Sequence, residues 1–499
     1  MKRHVATIRC SFRSANGSFP LVRSVCRFAL LLAIACLCDP GNAFAQTDTP
    51  SAPPSRSVNR PQLGDRAHAG DWPRFLGENF DGVTTTSPES IDWTAAPQTV
   101  WSLSVADGYG IGSVADGRYF QFDAVVKPQG DPQQYQSAER LRAIDLATGE
   151  QLWASEQPFV YQDMLGYENG PRSSPTIDGD SVFTLGVTGR LTCRDVSDGT
   201  IRWTVDTNEA YGVVQNFFGV GASPLMLDGR LIVMVGGSPP EDQQVGPMQL
   251  DRVSPNGSAM VAFDPATGKE LWRCGDDLAS YSSPRPINVD GETLVIAFLR
   301  SGLMAVDPAA GKVRWTYKHR ARILESVNAM MPVVRDNKVL ISECYEVGSA
   351  LLEVTAKQCK EVWKDPPRDR RAQSLRAHWA TPVLVGDWLY GCSGRNAPDS
   401  DFRCIAFDTG EVMWSDPRRI RSSVTRVGDH LLVLEERGLM QVIKPDPAEL
   451  KVVSEWNLAE TSNDRKGLQY PCWAAPVVIG NDVLVRGTDQ VLCLRFPEK

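Results

Sequence analysis

The sequence predicts an all-β protein, an eight-bladed β-propeller in which an N-terminal strand closes the C-terminal blade. Three observations carry this prediction: a recurring phrase that ends in tryptophan, a second recurring phrase that opens with proline, and a first and a last repeat that are each incomplete. Self-similarity at a period near 50 residues is typical of propellers, whose blades each contain four short strands.

The first phrase joins two short strands through a turn. It reads AFDPATGKELW at Ala262–Trp272, with related copies at Ala143–Trp153, Cys193–Trp203, Ala305–Trp315 and Ala406–Trp414, and an altered copy at Glu353–Trp363. Its alternating apolar start predicts a strand that is buried on both faces. Asp264 opens the turn, Gly268 supplies a positive φ, and Trp272 packs against a neighbouring repeat. We interpret all three residue types as structural.

Tryptophans at the end of the phrase mark eight repeats. They are Trp101, Trp153, Trp203, Trp272, Trp315, Trp363, Trp414 and Trp456. Seven gaps separate them, and the longest, 69 residues, holds a loop near Gly236–Ser258 that is rich in Pro, Gln and Gly.

The second phrase predicts the innermost hairpin of each blade. It is Ser-Pro followed by a β-rich run with a glycine turn, as in SSPTIDGDSVFTL at Ser173–Leu185. The first tryptophan strand, Thr99–Val105, has no partner strands before it, and the last run, Val491–Phe496, has no tryptophan strand after it. Joining the two completes an eighth blade and removes the exposed sheet edges.

The N-terminus is predicted to be a secretory signal peptide over residues 1–45. Six basic residues precede the apolar run Phe28–Leu37, which is too short to span a bilayer, and Ala43–Ala45 offers a small-residue cleavage site. An uncleaved anchor and a lipidated Cys36 stay open as alternatives. Residues 46–70 predict a flexible linker to the propeller of residues 71–499. We expect a periplasmic or secreted protein with no transmembrane segment after the signal peptide.

Charge and cysteine usage narrow the function classes. Removing the six basic residues and one acidic residue of the leader lowers the net charge from −8 to −13, which argues against nucleic acid as a partner. Cys344 and Cys359 are the pair that we expect to form a disulfide, since an extracytoplasmic compartment permits one. The sequence has no CxxC or CxxCH motif, so neither a thiolate zinc site nor a covalently attached c-type haem is indicated.

The phrase A-x-D-x-x-T-G-x-x-x-W, repeated around a secreted propeller, resembles the pyrroloquinoline quinone (PQQ) repeat family over roughly Trp72–Phe496. The entry segment Asp71–Val83 is similar to the start of such propellers. The family has an enzyme branch of alcohol and glucose dehydrogenases and a non-catalytic branch that includes the outer-membrane assembly lipoprotein.

The enzyme branch implies PQQ above a stacked Trp, Ca²⁺ held by Glu, Asn and Asp, a catalytic Asp, and often a disulfide between adjacent cysteines. This chain has no two adjacent cysteines. The resemblance assigns none of its residues as a calcium ligand or catalytic base.

The repeats also predict a binding site, because the leading ends of the Ser-Pro strands should meet at one mouth of the central channel. Aligning the blades on the proline places these candidate ligand-binding residues there: Arg172, Tyr281, Asn328, His378, Trp379, Arg421 and Trp473. Aromatic faces stack and arginines bind carboxylates with two parallel bonds, so the ring suits a planar anionic ligand such as PQQ, a sugar acid or a partner peptide. The alternative is a solvated channel mouth with unrelated polar residues.

Two functions are compatible with this sequence. The first is an extracytoplasmic scaffold that binds a protein or polymer ligand at the propeller face, which the degenerate repeats and the missing haem and cysteine-pair motifs favour. The second is a PQQ- and Ca²⁺-dependent dehydrogenase that oxidises an alcohol, sugar or polymer. An acidic cluster beside Trp379 and Trp473 would favour the second function.

Overall fold

The chain folds as an eight-bladed propeller, which confirms the predicted fold class. The computed structural model describes residues 70–85, 90–128, 135–462 and 466–499, so the predicted leader and residues 46–69 of the predicted linker lie outside the described residues. The described strands form eight antiparallel sheets of four strands each. Consecutive strands pair within each sheet, except in the last blade.

The strands are numbered in chain order, and β1 (Gln98–Ser104) precedes the first blade. Blade 1 contains β2 (Ser113–Ala115), β3 (Arg118–Pro128), β4 (Tyr135–Asp145) and β5 (Gln151–Phe159); blade 2 contains β6 (Thr176–Asp178), β7 (Ser181–Leu185), β8 (Arg190–Asp195) and β9 (Ile201–Asp206). Blade 3 contains β10 (Leu225–Leu227), β11 (Arg230–Met234), β12 (Met260–Phe263) and β13 (Glu270–Cys274); blade 4 contains β14 (Arg285–Val289), β15 (Glu292–Phe298), β16 (Gly302–Asp307) and β17 (Lys312–Lys318).

The second half follows the same plan. Blade 5 contains β18 (Val333–Arg335), β19 (Lys338–Glu343), β20 (Gly348–Val354) and β21 (Cys359–Lys364); blade 6 contains β22 (Val383–Val385), β23 (Trp388–Ser393), β24 (Asp401–Ala406) and β25 (Val412–Asp416). Blade 7 contains β26 (Ser422–Val427), β27 (His430–Glu435), β28 (Leu439–Lys444) and β29 (Lys451–Asn457); blade 8 contains β30 (Val477–Ile479), β31 (Asp482–Arg486) and β32 (Gln490–Arg495).

The described helices are short and lie in the loops of blades 2 and 3. An α-helix, α1, spans Thr207–Tyr211, and two 3₁₀ helices span Pro240–Gln244 and Pro247–Arg252 within the predicted insertion.

The ring closes where the sequence predicts. Strand β1 pairs antiparallel with β32 and forms the outer strand of blade 8, with Trp101 opposite Cys493 and Ser104 opposite Gln490. The pairing continues beyond the strands, because Ile91 forms an isolated bridge with Glu498. The first and last parts of the fold are therefore held in one sheet.

The tryptophan phrase joins each blade to the next. The Asp264 carboxylate accepts hydrogen bonds from the backbone N–H groups of Ala266 (3.0 Å) and Thr267 (2.8 Å), which fixes the turn. Trp203 Nε1 of the preceding blade donates to the carbonyl oxygen of Pro265 in that turn (2.9 Å). Gly268 has φ +70°, and a Cβ there would lie 2.6 Å from the Trp203 ring. The glycine therefore serves both the turn and the close approach of the neighbouring indole.

The same bond recurs around the ring. Trp101, Trp153, Trp203, Trp272, Trp315, Trp363 and Trp414 each donate from Nε1 to a backbone carbonyl in the turn of the next blade. Trp456 faces blade 8, which lacks this turn, and packs edge-on against Phe496 instead (5.3 Å between ring centroids). The structural interpretation of the phrase is confirmed.

The altered copy keeps the turn with a different side chain. Thr355 Oγ1 accepts from Gln358 N (3.1 Å) in place of an Asp carboxylate, and the Thr355 carbonyl accepts from Trp315 Nε1 (3.0 Å). The expected disulfide between Cys344 and Cys359 is wrong, because all eight cysteines of the described residues are free. Cys344 is buried in an apolar cluster under the loops, whereas Cys359 begins the outer strand β21.

The Ser-Pro strands are innermost, as predicted, and hydroxyl groups tie them together. Ser113 Oγ of blade 1 donates to the Pro175 carbonyl of blade 2 (2.6 Å), and Thr425 Oγ1 of blade 7 donates to the Pro476 carbonyl of blade 8 (2.6 Å). The apolar core lies between successive sheets, for example between β15 of blade 4 and β19 of blade 5.

A substitution at Gly268 tests the joint between blades. In Gly268→Ala the left-handed backbone costs about 1–2 kcal/mol, and the new methyl group also displaces Trp203, which adds about 1–3 kcal/mol as overpacking. Gly291→Ala is the matched control, because Gly291 has a similar φ of +76° and no atom within 4 Å of the new Cβ. Thermal melts should show a clearly lower Tm for Gly268→Ala than for Gly291→Ala; equal melting temperatures would contradict the role of the glycine against the indole.

Candidate functional site

A cavity of about 210 Å³ lies at one mouth of the central channel. Every blade contributes a short segment to its wall, at residues 109–111, 172–174, 221–223, 281–283, 327–329, 378–381, 421–424 and 473–475. These segments lead into the innermost strands or begin one of them, so the repeat itself places one wall segment per blade at the same height. The predicted convergence of the leading ends is what the structure shows.

The entry segment, residues 70–84, forms the floor of this cavity. Trp72 pairs with Val114 of blade 1, and the Ile177 N–H of blade 2 donates to the Pro73 carbonyl (2.9 Å). The segment then reaches blade 4, where Arg285 Nη1 donates to the Phe80 carbonyl (2.9 Å), and ends against blade 7. Trp72, Phe75 and Leu76 line the cavity from below. The mouth is therefore a blind pocket rather than an open channel.

Six of the seven predicted binding residues line the cavity. They are Arg172, Tyr281, His378, Trp379, Arg421 and Trp473. Asn328 does not, since its fully buried side chain donates to the backbone carbonyls of Leu299 (2.8 Å) and His319 (3.0 Å). Its neighbours Val327 and Ala329 line the cavity instead. Asn328 holds the loops of blade 4 together.

The wall is a continuous set of aromatic rings, here called the aromatic belt: Tyr109, Tyr167, Phe218, Tyr281, Tyr345, His378, Trp379 and Trp473. Trp473 is central, with ring centroids 5.1 Å from Trp379, 4.7 Å from Tyr109 and 5.9 Å from Tyr167. Phe218 extends the belt from Tyr167 to Tyr281. An aromatic ring of a ligand in this cavity could make the same tilted or edge-on contacts with the belt.

Arg421 positions the two tryptophans rather than facing an open site. Its Cζ lies 4.9 Å from the Trp379 ring centroid and 5.0 Å from that of Trp473, so the guanidinium contacts both rings. Its Nε donates to Glu436 (2.6 Å), which also accepts from Trp473 Nε1 (2.9 Å). Glu436 is only 4% exposed, so these two donors supply the hydrogen bonds that water cannot give its carboxylate.

Arg172 is also neutralised within the protein. Its Nη2 donates to the Asp163 carboxylate (2.8 Å) and its Nη1 to the Gly170 carbonyl (2.9 Å). Arg395 differs, because it lines the cavity, is exposed, and has no carboxylate partner among the described residues. Its Cζ lies 5.0 Å from the Tyr345 ring centroid. Of the described residues that line the cavity, Arg395 is therefore the cation available to an anionic group.

His378 is a neutral member of the belt. Burial, with the nearby charges of Arg395 and Arg421, lowers its pKa to about 3. Its Nε2 lies 3.2 Å from the Tyr345 hydroxyl oxygen. His378 Nδ1 and Trp379 Nε1 are both buried and have no hydrogen-bond partner in the described part of the chain. An unpaired buried polar atom costs about 1–3 kcal/mol, so a ligand or a water molecule that bonds to either atom would be favoured.

The carboxyl group of Glu168 belongs to the residue that follows Tyr167 of the aromatic belt. Glu168 accepts from the Gly108 N–H (2.6 Å), and its pKa is raised to about 7, chiefly by burial. This bond fixes the loop that carries Tyr167 to the start of blade 1.

The carboxylates around the cavity do not fit a calcium site. Ca²⁺ takes six to eight oxygen ligands, usually with several carboxylates. Residues 70–85, 90–128, 135–462 and 466–499 contain no group of three His, Cys, Asp or Glu side chains placed to hold a metal ion. Glu436, the carboxylate bonded to Trp473, is already engaged by Arg421. The acidic cluster that would favour a dehydrogenase is not formed by these residues.

Alignment on the proline misses part of the site. Tyr345, Arg395 and Glu436 follow the second strand of blades 5, 6 and 7, and those loops reach the same mouth. Tyr167 and Phe218 lie further back in the loops that lead to blades 2 and 3. Aligning the repeats on the end of the second strand superposes Tyr345 with Arg395 and places Glu436 one position away.

Fold and mouth define a PQQ-type repeat propeller with a blind aromatic pocket. The sequence model of a family described as outer membrane protein assembly factor BamB matches residues 137–416. This match covers more than half of the chain, and the chain belongs to that family.

The individual proteins and solved structures that resemble this chain are distant in sequence. An uncharacterised protein of Rickettsia prowazekii is 20% identical over 327 residues, which is 62% of this chain and 69% of the relative. The quinohemoprotein alcohol dehydrogenase of Comamonas testosteroni superposes with a TM-score of 0.53 at 13% identity, over 87% of this chain and 82% of that chain. BamB of Moraxella catarrhalis superposes with a TM-score of 0.49 at 14% identity, over 81% and 98%. The likeness to the alcohol dehydrogenase shows the fold alone.

Among the described residues, no helix has the length and apolar character needed to cross a bilayer.

The role of Arg421 is tested by neutralising it. In Arg421→Gln the buried Glu436 loses its cation, and removal of one partner of a buried ion pair costs about 3 kcal/mol. Arg418→Gln is the matched control in the same loop, because the Arg418 side chain is 85% exposed and should contribute about 0–1 kcal/mol. We expect a lower Tm and a shifted tryptophan emission for Arg421→Gln alone; equal melts for both variants would contradict the positioning role.

Proposed function

We propose that this protein is an extracytoplasmic scaffold that binds a protein partner at the aromatic mouth of its propeller. The observation that carries the proposal is the blind pocket, whose wall is aromatic. Two of its arginines are already paired within the protein, Arg421 with Glu436 and Arg172 with Asp163. Such a wall offers stacking surface, and the described residues contain no group of three His, Cys, Asp or Glu side chains placed to hold a metal ion.

The size of the pocket supports a binding role. Pockets for whole small molecules and cofactors commonly measure about 300–1,000 Å³. The cavity here measures about 210 Å³. A space of this size suits part of a ligand, such as an anchoring side chain, with the rest of the ligand lying on the face outside.

Location and family also favour this proposal. The predicted signal peptide over residues 1–45 would direct the chain to the periplasm or the exterior. The family description, an assembly factor of the outer membrane, fits a role directed at other proteins in that compartment.

Selection from a peptide library tests the proposal. Random 12-residue peptides displayed on phage are selected against the secreted chain and then against Tyr167→Ser and Phe218→Ala, which alter the aromatic belt. We expect enriched sequences that bind the wild type and lose at least tenfold in affinity on both belt variants. Leu271→Ala is the control, since Leu271 is an exposed apolar residue on an outer strand.

Two results would contradict the proposal. One is a lack of enrichment, or enrichment that is unchanged in both belt variants. The other is dye-linked oxidation of ethanol or glucose after reconstitution with PQQ and Ca²⁺, which would favour the dehydrogenase alternative.

A further inference from the structure

Exposed apolar side chains stand beside the cavity, here called the apolar lip: Met164, Leu165 and Tyr470. Leu165 is 50% exposed and Tyr470 is 54% exposed. Exposed apolar side chains that adjoin a cavity mark an interaction surface more often than single exposed ones do. The lip adjoins the belt, because Tyr470 contacts the Trp473 ring edge-on, and Met164 and Leu165 lie three and two residues before Tyr167 in the same loop.

The lip is built into the fold. Asp163 Oδ1 accepts from the N–H groups of Leu165 (2.9 Å) and Tyr167 (3.1 Å), while its Oδ2 pairs with Arg172 (2.8 Å). On the other side, the Tyr470 hydroxyl accepts from Arg421 Nη2 (3.2 Å). These hydrogen bonds therefore hold Leu165 and Tyr470 in place beside the cavity.

The pocket selects for an aromatic anchor. Its wall presents aromatic rings on several sides, among them Tyr281, Tyr345 and Trp473, so a ring that enters the cavity would meet aromatic partners in more than one direction. A ring so placed gains both buried apolar area and favourable aromatic contacts. An aliphatic side chain would gain only the buried apolar area.

The charge at the rim selects for an acid beside the anchor. Arg172 and Arg421 are paired internally, which leaves Arg395 as the cavity-lining cation without a carboxylate among the described residues. A planar guanidinium held on the Tyr345 ring presents its N–H groups in a fixed fork, the geometry that binds a carboxylate with two parallel hydrogen bonds.

We infer that the mouth binds an extended segment of a partner protein in which an aromatic side chain stands next to an aspartate or glutamate. The aromatic ring enters the pocket, the neighbouring carboxylate pairs with Arg395, and apolar residues that flank them lie on Met164 and Leu165. This inference rests on the proposed scaffold function and specifies the chemistry of the partner.

Synthetic peptides test the inference directly. The reference probe is fluorescein-labelled Gly-Ser-Asp-Trp-Leu-Ser-Gly, amidated at its C-terminus, together with a version in which Asp and Trp exchange places. Fluorescence anisotropy gives Kd. We expect replacement of Trp by Ala in the probe to weaken binding at least tenfold, and replacement of Asp by Asn to weaken it about three- to tenfold. Indole-3-propionate serves as a free aromatic acid and should compete only weakly, because it lacks the chain that contacts the lip.

Variants of the protein test whether Arg395 binds the carboxylate of the probe. Arg395→Gln should bind the Asp probe about as weakly as the wild type binds the Asn probe, and the Asp and Asn probes should then be equivalent. Arg395→Lys should keep part of the preference. Arg437→Gln is the matched control, because Arg437 is an exposed arginine that follows Glu436 and does not line the cavity.

The outcomes separate this inference from the proposed function. Library peptides that depend on the belt but show no preference for Asp, or a preference that survives in Arg395→Gln, would overturn the inference and leave the scaffold intact. A free aromatic acid that binds as tightly as the peptides would overturn the inference in favour of a small-molecule ligand. If no library peptide and no probe binds the mouth, the scaffold function fails as well.

Discussion

The whole structure depends on one contact, the indole of one blade held against the turn of the next. The indole donates a hydrogen bond to a backbone carbonyl, and in the unaltered copies its ring covers a glycine that leaves room for it. A sheet of four strands cannot bury both of its faces alone, so each blade is stable only against its neighbours. Seven repetitions of the bond fix the angular step, and the pairing of β1 with β32 closes the ring.

The mouth inherits its geometry from that ring. Because each blade presents the loop before its innermost strand at the same height, aromatic side chains from blades that are distant in sequence come within contact distance. The entry segment closes the channel from below and turns a pore into a pocket. The buried pair of Arg421 and Glu436 then orients the two tryptophans. Buried ion pairs of this kind contribute little net stability, so their value lies in position.

Much of this architecture could be predicted from sequence, since it follows from periodicity. The blade count, the strand that closes blade 8 and the innermost position of the Ser-Pro strands all depend on repeated local patterns. Six of the seven predicted binding residues line the cavity for the same reason, and their role in binding stays a prediction. Asn328 does not line it, because a one-residue difference in a loop decides which side chain faces the cavity and which faces the backbone of blade 4.

What sequence could not supply is how charges are paired. The sequence indicates that Arg172 and Arg421 stand at the mouth, but their neutralisation by Asp163 and Glu436 is a contact between loops. The same limitation applies to Arg395, whose importance lies in the lack of a carboxylate partner among the described residues. The expected bond between Cys344 and Cys359 failed because sharing a blade does not bring two side chains together.

Closure of the ring is the claim from which both the fold and the mouth follow, and hydrogen–deuterium exchange tests it at single residues. With β31 on one side and β1 on the other, β32 is an interior strand, and every backbone N–H of Val491–Leu494 should be hydrogen-bonded. We predict slow exchange at all four amides, read by electron-transfer fragmentation of the labelled chain. Fast exchange at alternate amides, which is the behaviour of an edge strand, would show that β1 is not paired there and would contradict the closed propeller.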